Sequence, residues 1–144
     1  FGHYTESPPQ YQAVVDRLKL KHAASAAHLP GPIVERRESA TIGVITVGSC
    51  DLAVREALDQ LSDAGVPCDF MRVRGFPFAP DVRHFVEEHE HCFVVEQNRD
   101  GQLRSLIAIE TGVNIEKMDA VLYYGGFPLS AQQVVDHVLA KLEN

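Results

Sequence analysis

The densest concentration of chemistry-bearing side chains lies in Val94-Val95-Glu96-Gln97-Asn98-Arg99-Asp100-Gly101-Gln102-Leu103. An apolar stretch ends abruptly in amides, carboxylates and a guanidinium, then passes straight into a helical pattern. A plain turn would need only Gly or Ser. In an open α/β sheet, ligands and partner chains meet the fold at such strand ends. Glu96, Gln97, Asn98 and Gln102 are therefore candidates for a site or an interface, since each amide offers donors and an acceptor together. The run names no reaction.

Three other groups carry possible chemistry. Gly48-Ser49-Cys50-Asp51 puts a thiol at a helix start, where the dipole favours thiolate. A nucleophilic Cys also wants a His base, and none of the seven histidines stands at a strand end near this loop. The plainer reading has Ser49 or Asp51 capping the helix and Cys50 as a small buried residue. His89-Glu90-His91-Cys92 holds metal-ligand types, but at a helix end entering a strand, which reads as fortuitous His-rich surface. Arg72 and Arg74 share one face of a strand end beside Phe76-Pro77-Phe78. They suit a carboxylate or phosphate, a neighbouring chain's acids, or plain surface. Loop aromatics Phe76, Phe78 and Phe127 beside arginine suit a protein–protein contact.

The elements that must position these groups are legible. Thr5 to Pro9 starts a helix with hydroxyl caps and proline; it runs to about His28 with apolar Tyr11, Val14, Val15 and Leu18, and Leu29-Pro30-Gly31-Pro32 ends it. Residues 1–32 read as a helical connector that packs on a neighbouring domain, and 33–144 as one α/β domain. Residues 33–38 suit a charged sheet edge. Thr41–Val47 is an apolar β-branched run typical of a parallel strand buried on both faces. A helix follows from Leu52 to Ala64, with Leu52, Val54, Ala57, Leu58 and Leu61 on one face. Strands at 68–74, 92–95 and 118–124 alternate with helices at about 80–90, 101–111 and 130–142. Such alternation demands parallel strands joined by right-handed crossovers, a three-layer α/β/α sandwich. With 41–47 central between 68–74 and 91–95, and 119–124 beyond, the winding reverses between Val47 and Val95. Ser49-Cys50 and Glu96-Gln97-Asn98 should converge there.

The totals exclude several classes. A formal net charge of −7 without a basic cluster argues against nucleic acid. No apolar run approaches a membrane span. Cys50, Cys68 and Cys92 are far apart, as expected of reduced thiols in a cytoplasmic protein, and without a CxxC pair an iron–sulfur or zinc site within the chain is not expected. No Gly-x-Gly-x-x-Gly or Gly-Lys-Ser/Thr loop follows the first parallel strand. The start Phe1-Gly2-His3 lacks Met and a signal pattern, and reads as a piece cut from a longer polypeptide.

Arg72 to Phe78, Val94 to Leu103, Glu110-Thr111-Gly112 and Gly125-Gly126-Phe127-Pro128-Leu129, in this order, resemble the C-terminal domain of the alpha subunit of 2-oxoacid:ferredoxin oxidoreductases of the 2-oxoglutarate type. Gly2-His3-Tyr4-Thr5-Glu6 and Tyr11 to Lys21 resemble the connector leading into that domain. The resemblance implies a transketolase C-terminal-like domain, with a five-stranded sheet whose first strand, about 33–38, runs antiparallel at the edge. It implies a parent enzyme that oxidatively decarboxylates a 2-oxoacid with thiamine diphosphate and magnesium. That enzyme passes electrons through an iron–sulfur cluster to ferredoxin and makes an acyl-CoA. It further implies that upstream domains and a beta subunit hold the cofactors, with none in this chain, while this domain supports assembly into an oligomer. The chain has no Gly-Asp-Gly followed by Asn, in keeping with that division. Phe127 stands where some relatives carry a basic residue, which argues against anion binding by that loop.

On this reading Glu96, Gln97, Asn98 and Gln102 fix the loop and contact a neighbour, and Arg72, Arg74 and Arg104 supply charged contacts. Two other functions compete: a small-molecule module taking an anion or CoA-like group in the Ser49/Asn98 crevice, and a cysteine enzyme using Cys50.

Overall fold

A computed structural model describes residues 4–143. Gly2 and His3 of the connector-like opening lie outside the described residues. Five strands form one sheet: β1 (Ile33–Glu35), β2 (Ile42–Val47), β3 (Cys68–Val73), β4 (His91–Glu96) and β5 (Met118–Leu122), in the order β1-β3-β2-β4-β5. Four are parallel and β1 pairs antiparallel with β3 at the edge. This is the mostly parallel α/β/α sandwich that the alternation and the resemblance called for, preceded by helix α1 (Pro8–Ser25).

The strands read as unbroken apolar runs because both faces are covered. Val44, Phe70, Phe93, Val95 and Val121 face α2 (Asp51–Asp63) and α5 (Ala131–Leu142), meeting Leu58, Leu61, Val134 and Val138. Ile45, Met71, Val94 and Met118 face α3 (Pro80–Glu88) and α4 (Gln102–Thr111), meeting Phe85, Val86 and Ile107. Successive residues of a strand thus feed two separate cores. Gly43 lets α3 approach: a Cβ there would lie 2.5 Å from Phe85 Cε1 and 2.9 Å from Cys92 Sγ.

Four expectations need correction. The edge strand stops at Glu35 because Asp69 captures the next residues: its carboxylate accepts from the Arg37 backbone N–H (2.7 Å) and the Arg36 guanidinium (2.7 Å). Leu52 does not join the core face of its helix and is 78% exposed. It precedes Val54 by two residues, about 200° round a helix of 3.6 residues per turn. Ser7 caps α1 with no side-chain bond; the Thr5 hydroxyl accepts from the Ser7 N–H instead. The His89–Cys92 run is not a His-rich surface. His89 is 3% exposed, its ring nitrogens 2.6 Å from the Phe85 carbonyl and 3.2 Å from Asp69 Oδ2.

α1 buries none of its residues. Tyr11, Val14, Val15 and Leu18 stand exposed on it, while its end meets the body through His22, whose ring lies 5.5 Å from that of Phe76.

Two outcomes test this packing. Gly43→Ala should cost about 1–3 kcal/mol by overpacking against Phe85 and Cys92, read by urea unfolding. Burial is the largest influence on Asp69 and pushes its carboxyl up, but Arg36, the Arg37 backbone and His89 together outweigh it and hold it below its ordinary 3.8. A carboxyl lowered in the fold stabilises above its unfolded pKa, and that contribution is lost as pH falls through the folded value. Asp69→Asn should therefore be clearly less stable at pH 7, with the gap to wild type closing as pH drops below about 4.

Candidate functional site

β2 and β4 run side by side, so the turn at 48–50 and the segment after Glu96 leave the sheet at the same edge. Ser49 Oγ donates to Gln97 Oε1 at 2.8 Å across the reversal of winding. Below it the buried Thr46 hydroxyl donates to the Val95 carbonyl at 3.1 Å. Ser49, Leu52, Ala53, Gln97, Phe127 and Leu129 line one cleft here, and Gln97 and Phe127 also line a second with Tyr123 and Tyr124.

The order of the polar cluster comes from two side chains. Glu96 is 2% exposed; its carboxylate accepts from the backbone N–H groups of Leu103 (2.6 Å) and Arg104 (3.0 Å) and from the Asn98 amide (2.6 Å). Asn98 Oδ1 accepts from the backbone N–H groups of Asp100 (3.0 Å), Gly101 (2.9 Å) and Gln102 (3.4 Å). The first intrahelical bond is Ser105 N–H to the Gly101 carbonyl. The N–H groups that a helix start leaves orphaned are thereby answered by Glu96 and Asn98. Gly101 enters the helix at φ 61°, a left-handed conformation open to Gly at little cost.

The other candidates divide. Gln102 gives its backbone N–H to the cluster while its side chain is exposed. The three arginines expected to reach outward all hold bonds inside the chain. Arg72 donates to Asp51 (3.2 Å) and the Gly48 carbonyl (3.4 Å), and Arg74 to the Gly31 carbonyl (2.7 Å). Arg104 donates to the carbonyls of Met118 (2.7 Å) and Ile115 (3.2 Å). Phe76 and Phe78 meet edge to face at 5.2 Å. Phe127 stands 77% exposed at the cleft. Leu52, Tyr123, Tyr124 and Leu129 are lining residues that sequence reasoning missed. The signal for Leu52 was its position one residue into a helix that follows a strand end, where an apolar side chain need not face the core.

Cys50, at the end of the 48–50 turn, is buried. This is the plainer reading of Cys50 as a small buried residue: burial pushes its thiol up, against the Thr46 hydroxyl and the Gln97 backbone, which pull it down. The Ser49 and Asp51 side chains do not cap α2, for no side-chain cap bond is present. Burial also raises the Cys68 thiol to about 11 and the Cys92 thiol to about 12. Among the described residues no group of three or more His, Cys, Asp or Glu gathers as a metal site, and no helix is long and apolar enough to cross a membrane.

No protein-family model matches the chain. Over an alignment of 148 positions that covers 99% of its length, it is 27% identical to "2-oxoacid:ferredoxin oxidoreductase 2, subunit alpha" of Aeropyrum pernix, of which it spans 23%. The chain is a homologue of one part of that alpha subunit. A solved 2-oxoglutarate:ferredoxin oxidoreductase from Magnetococcus marinus, holding 2-oxoglutarate, coenzyme A and succinyl-CoA, superposes on 98% of this chain with a TM-score of 0.82 and 26% identity. The match covers 25% of that structure's chain. A split-gene transketolase superposes on 78% of the chain, and the chain on 41% of it, with a TM-score of 0.61 and 16% identity; that likeness is one of fold alone. The chain thus spans about a quarter of the first two relatives.

In this alpha-subunit homologue the thiols should be inert in the fold. Iodoacetamide at pH 8 should label Cys50, Cys68 and Cys92 at least about tenfold more slowly than in the unfolded chain, since the thiolate is the reactive form. Mass spectrometry reads the rates, and fast labelling of Cys50 alone would revive the cysteine-enzyme reading.

Proposed function

We propose that the chain is the C-terminal, transketolase C-terminal-like assembly domain of the alpha subunit of a 2-oxoacid:ferredoxin oxidoreductase of the 2-oxoglutarate type. Residues 1–32 are its connector from an upstream domain. The parent enzyme decarboxylates the 2-oxoacid oxidatively, forms an acyl-CoA and delivers the electrons to ferredoxin in the cytoplasm. The observation that carries this reading is similarity along 99% of the chain to one alpha subunit, joined to a superposition along 98% of it on a 2-oxoglutarate enzyme.

The chain's own residues support an assembly role over a catalytic one. The three cysteines are buried and lie in both cores, which does not fit an iron–sulfur cluster within the chain. The sequence holds no Gly-Asp-Gly followed by Asn, the pattern that the resemblance associates with thiamine diphosphate. On this reading, thiamine diphosphate, magnesium and the iron–sulfur cluster are held by the upstream domains and the beta subunit. What the chain offers outward is apolar and amide surface: Leu52, Tyr124 and Phe127 around Gln97, and the uncovered stripe of α1. Aromatic anchors around a polar centre are the groups that carry binding energy in protein interfaces.

The test is reconstitution with the cognate beta subunit, followed by sedimentation and titration. Phe127→Asp should leave the melting temperature of the chain unchanged, because the side chain is exposed. It should weaken assembly by about 2 kcal/mol, roughly thirtyfold. Unchanged assembly by this variant and by Leu52→Asp would overturn the assignment of the cleft as the contact.

A further inference from the structure

We infer that Glu96 is a resident anion: its carboxylate does at the start of α4 what a ligand's phosphate or carboxylate does in other folds of this plan, and so positions Gln97 and closes the crevice to anionic ligands. The inference rests on the reading of the crevice as a contact surface and adds the chemistry of what can enter it.

Helix N-termini attract anions through their free N–H groups and the dipole, and in doubly wound sheets they point into the crevice. Glu96 fills that place from within. It comes from the last position of β4, is 2% exposed, and accepts from the N–H groups of Leu103 and Arg104. Burial of a carboxylate is costly unless such donors answer it, and bonds of 2.6 Å to the Leu103 N–H and the Asn98 amide fit charge-assisted hydrogen bonding. The Asn98 carbonyl oxygen is thereby turned onto the N–H groups of Asp100 and Gly101. Gln97, held between Glu96 and Asn98, is left to meet Ser49.

The start of α2 at this edge also carries an acid, though one held by arginines and not by the helix's backbone N–H groups. Asp51 opens α2 with a carboxylate, and the nearby Arg72 is bound to that same carboxylate. Two of the helix starts beside the cleft, those of α2 and α4, therefore carry their own negative charge. The third, that of α5, is closed by the Ser130–Gln133 capping box, and the guanidiniums of Arg55 and Arg72 are both bound to Asp51. What remains for a partner is the Ser49–Gln97 pair flanked by Leu52 and Phe127. That set suits uncharged polypeptide surface and opposes a phosphate or CoA.

Chemical rescue in the 144-residue chain tests this. Glu96→Ala should lower the melting temperature by several degrees, and millimolar formate should restore a saturable part of the loss. Neutral formamide should not, and wild type should gain nothing comparable from formate. Glu96→Gln, which keeps the shape without the charge, should fall between the two. It serves as the measure if Glu96→Ala does not fold. Wild type should show no saturable shift with inorganic phosphate or CoA. Equal rescue by formamide, equal gain in wild type, full stability of Glu96→Gln, or saturable binding of phosphate or CoA to wild type would each overturn the inference. None of these readings depends on the beta subunit, so the assembly assignment can fail while Glu96 stands, and the reverse.

Discussion

β2 is hydrogen-bonded on both sides, along its whole length to β3 and from Ile42 to Thr46 to β4. The remaining architecture follows from that position. A parallel strand flanked by two parallel neighbours must send all three chain exits to one edge and all three returns to the other, by crossovers that cover the faces. Because the connections go in opposite directions from β2, the helices after it settle on opposite sides, and a gap opens between the exits of β2 and β4. The Ser49–Gln97 bond spans that gap. Gly43, at the middle of the sheet, allows the Phe85 ring to lie directly on β2, so the same strand that fixes the topology also fixes how closely one helical layer packs.

Charge is handled internally throughout. Asp69, 4% exposed, is met by Arg36, the Arg37 backbone and His89, and Arg36 also reaches Glu88. Glu96 is met by backbone N–H groups and an amide. Arg72, Arg74 and Arg104 are tied to carbonyls or to Asp51. Each of these groups would be expensive to bury alone, and each is a plausible ligand contact when seen only as a residue type. Their mutual satisfaction shifts the character of the outward surface toward amides and aromatics at one edge and an apolar helical stripe on α1. On the proposed reading, that is the surface of a domain that joins a larger assembly, and its span of about a quarter of the related chains agrees with such a part.

The two cores divide the cysteines as they divide everything else. Cys50 and Cys68 lie with α2 and α5, and Cys92 lies with α3 and α4. Strand alternation places Cys68 and Cys92 on opposite faces of a continuous sheet, while Cys50, in the turn after β2, is buried on the Cys68 side, and all three are free thiols. Burial raises all three thiols, which turns a helix-start cysteine that could have been a nucleophile into packing material.

Strand order, parallel sense and the meeting of the 48–50 turn with Gln97 were legible in the sequence, because a β-branched run buried on both faces and a regular β–α alternation leave few ways to wind a chain. The concentration of amides and acids after Val95 was legible for the same reason: helix starts need acceptors, and Glu96 and Asn98 provide them. The partners of individual charges were not legible. Whether Arg72 meets Asp51 or another molecule, whether His89 is surface or core, and whether Leu52 faces in or out depend on distances between segments far apart in the chain and on the helix's rotation about its own axis. Periodicity sets which residues share a face; only the packed layers decide which face is covered.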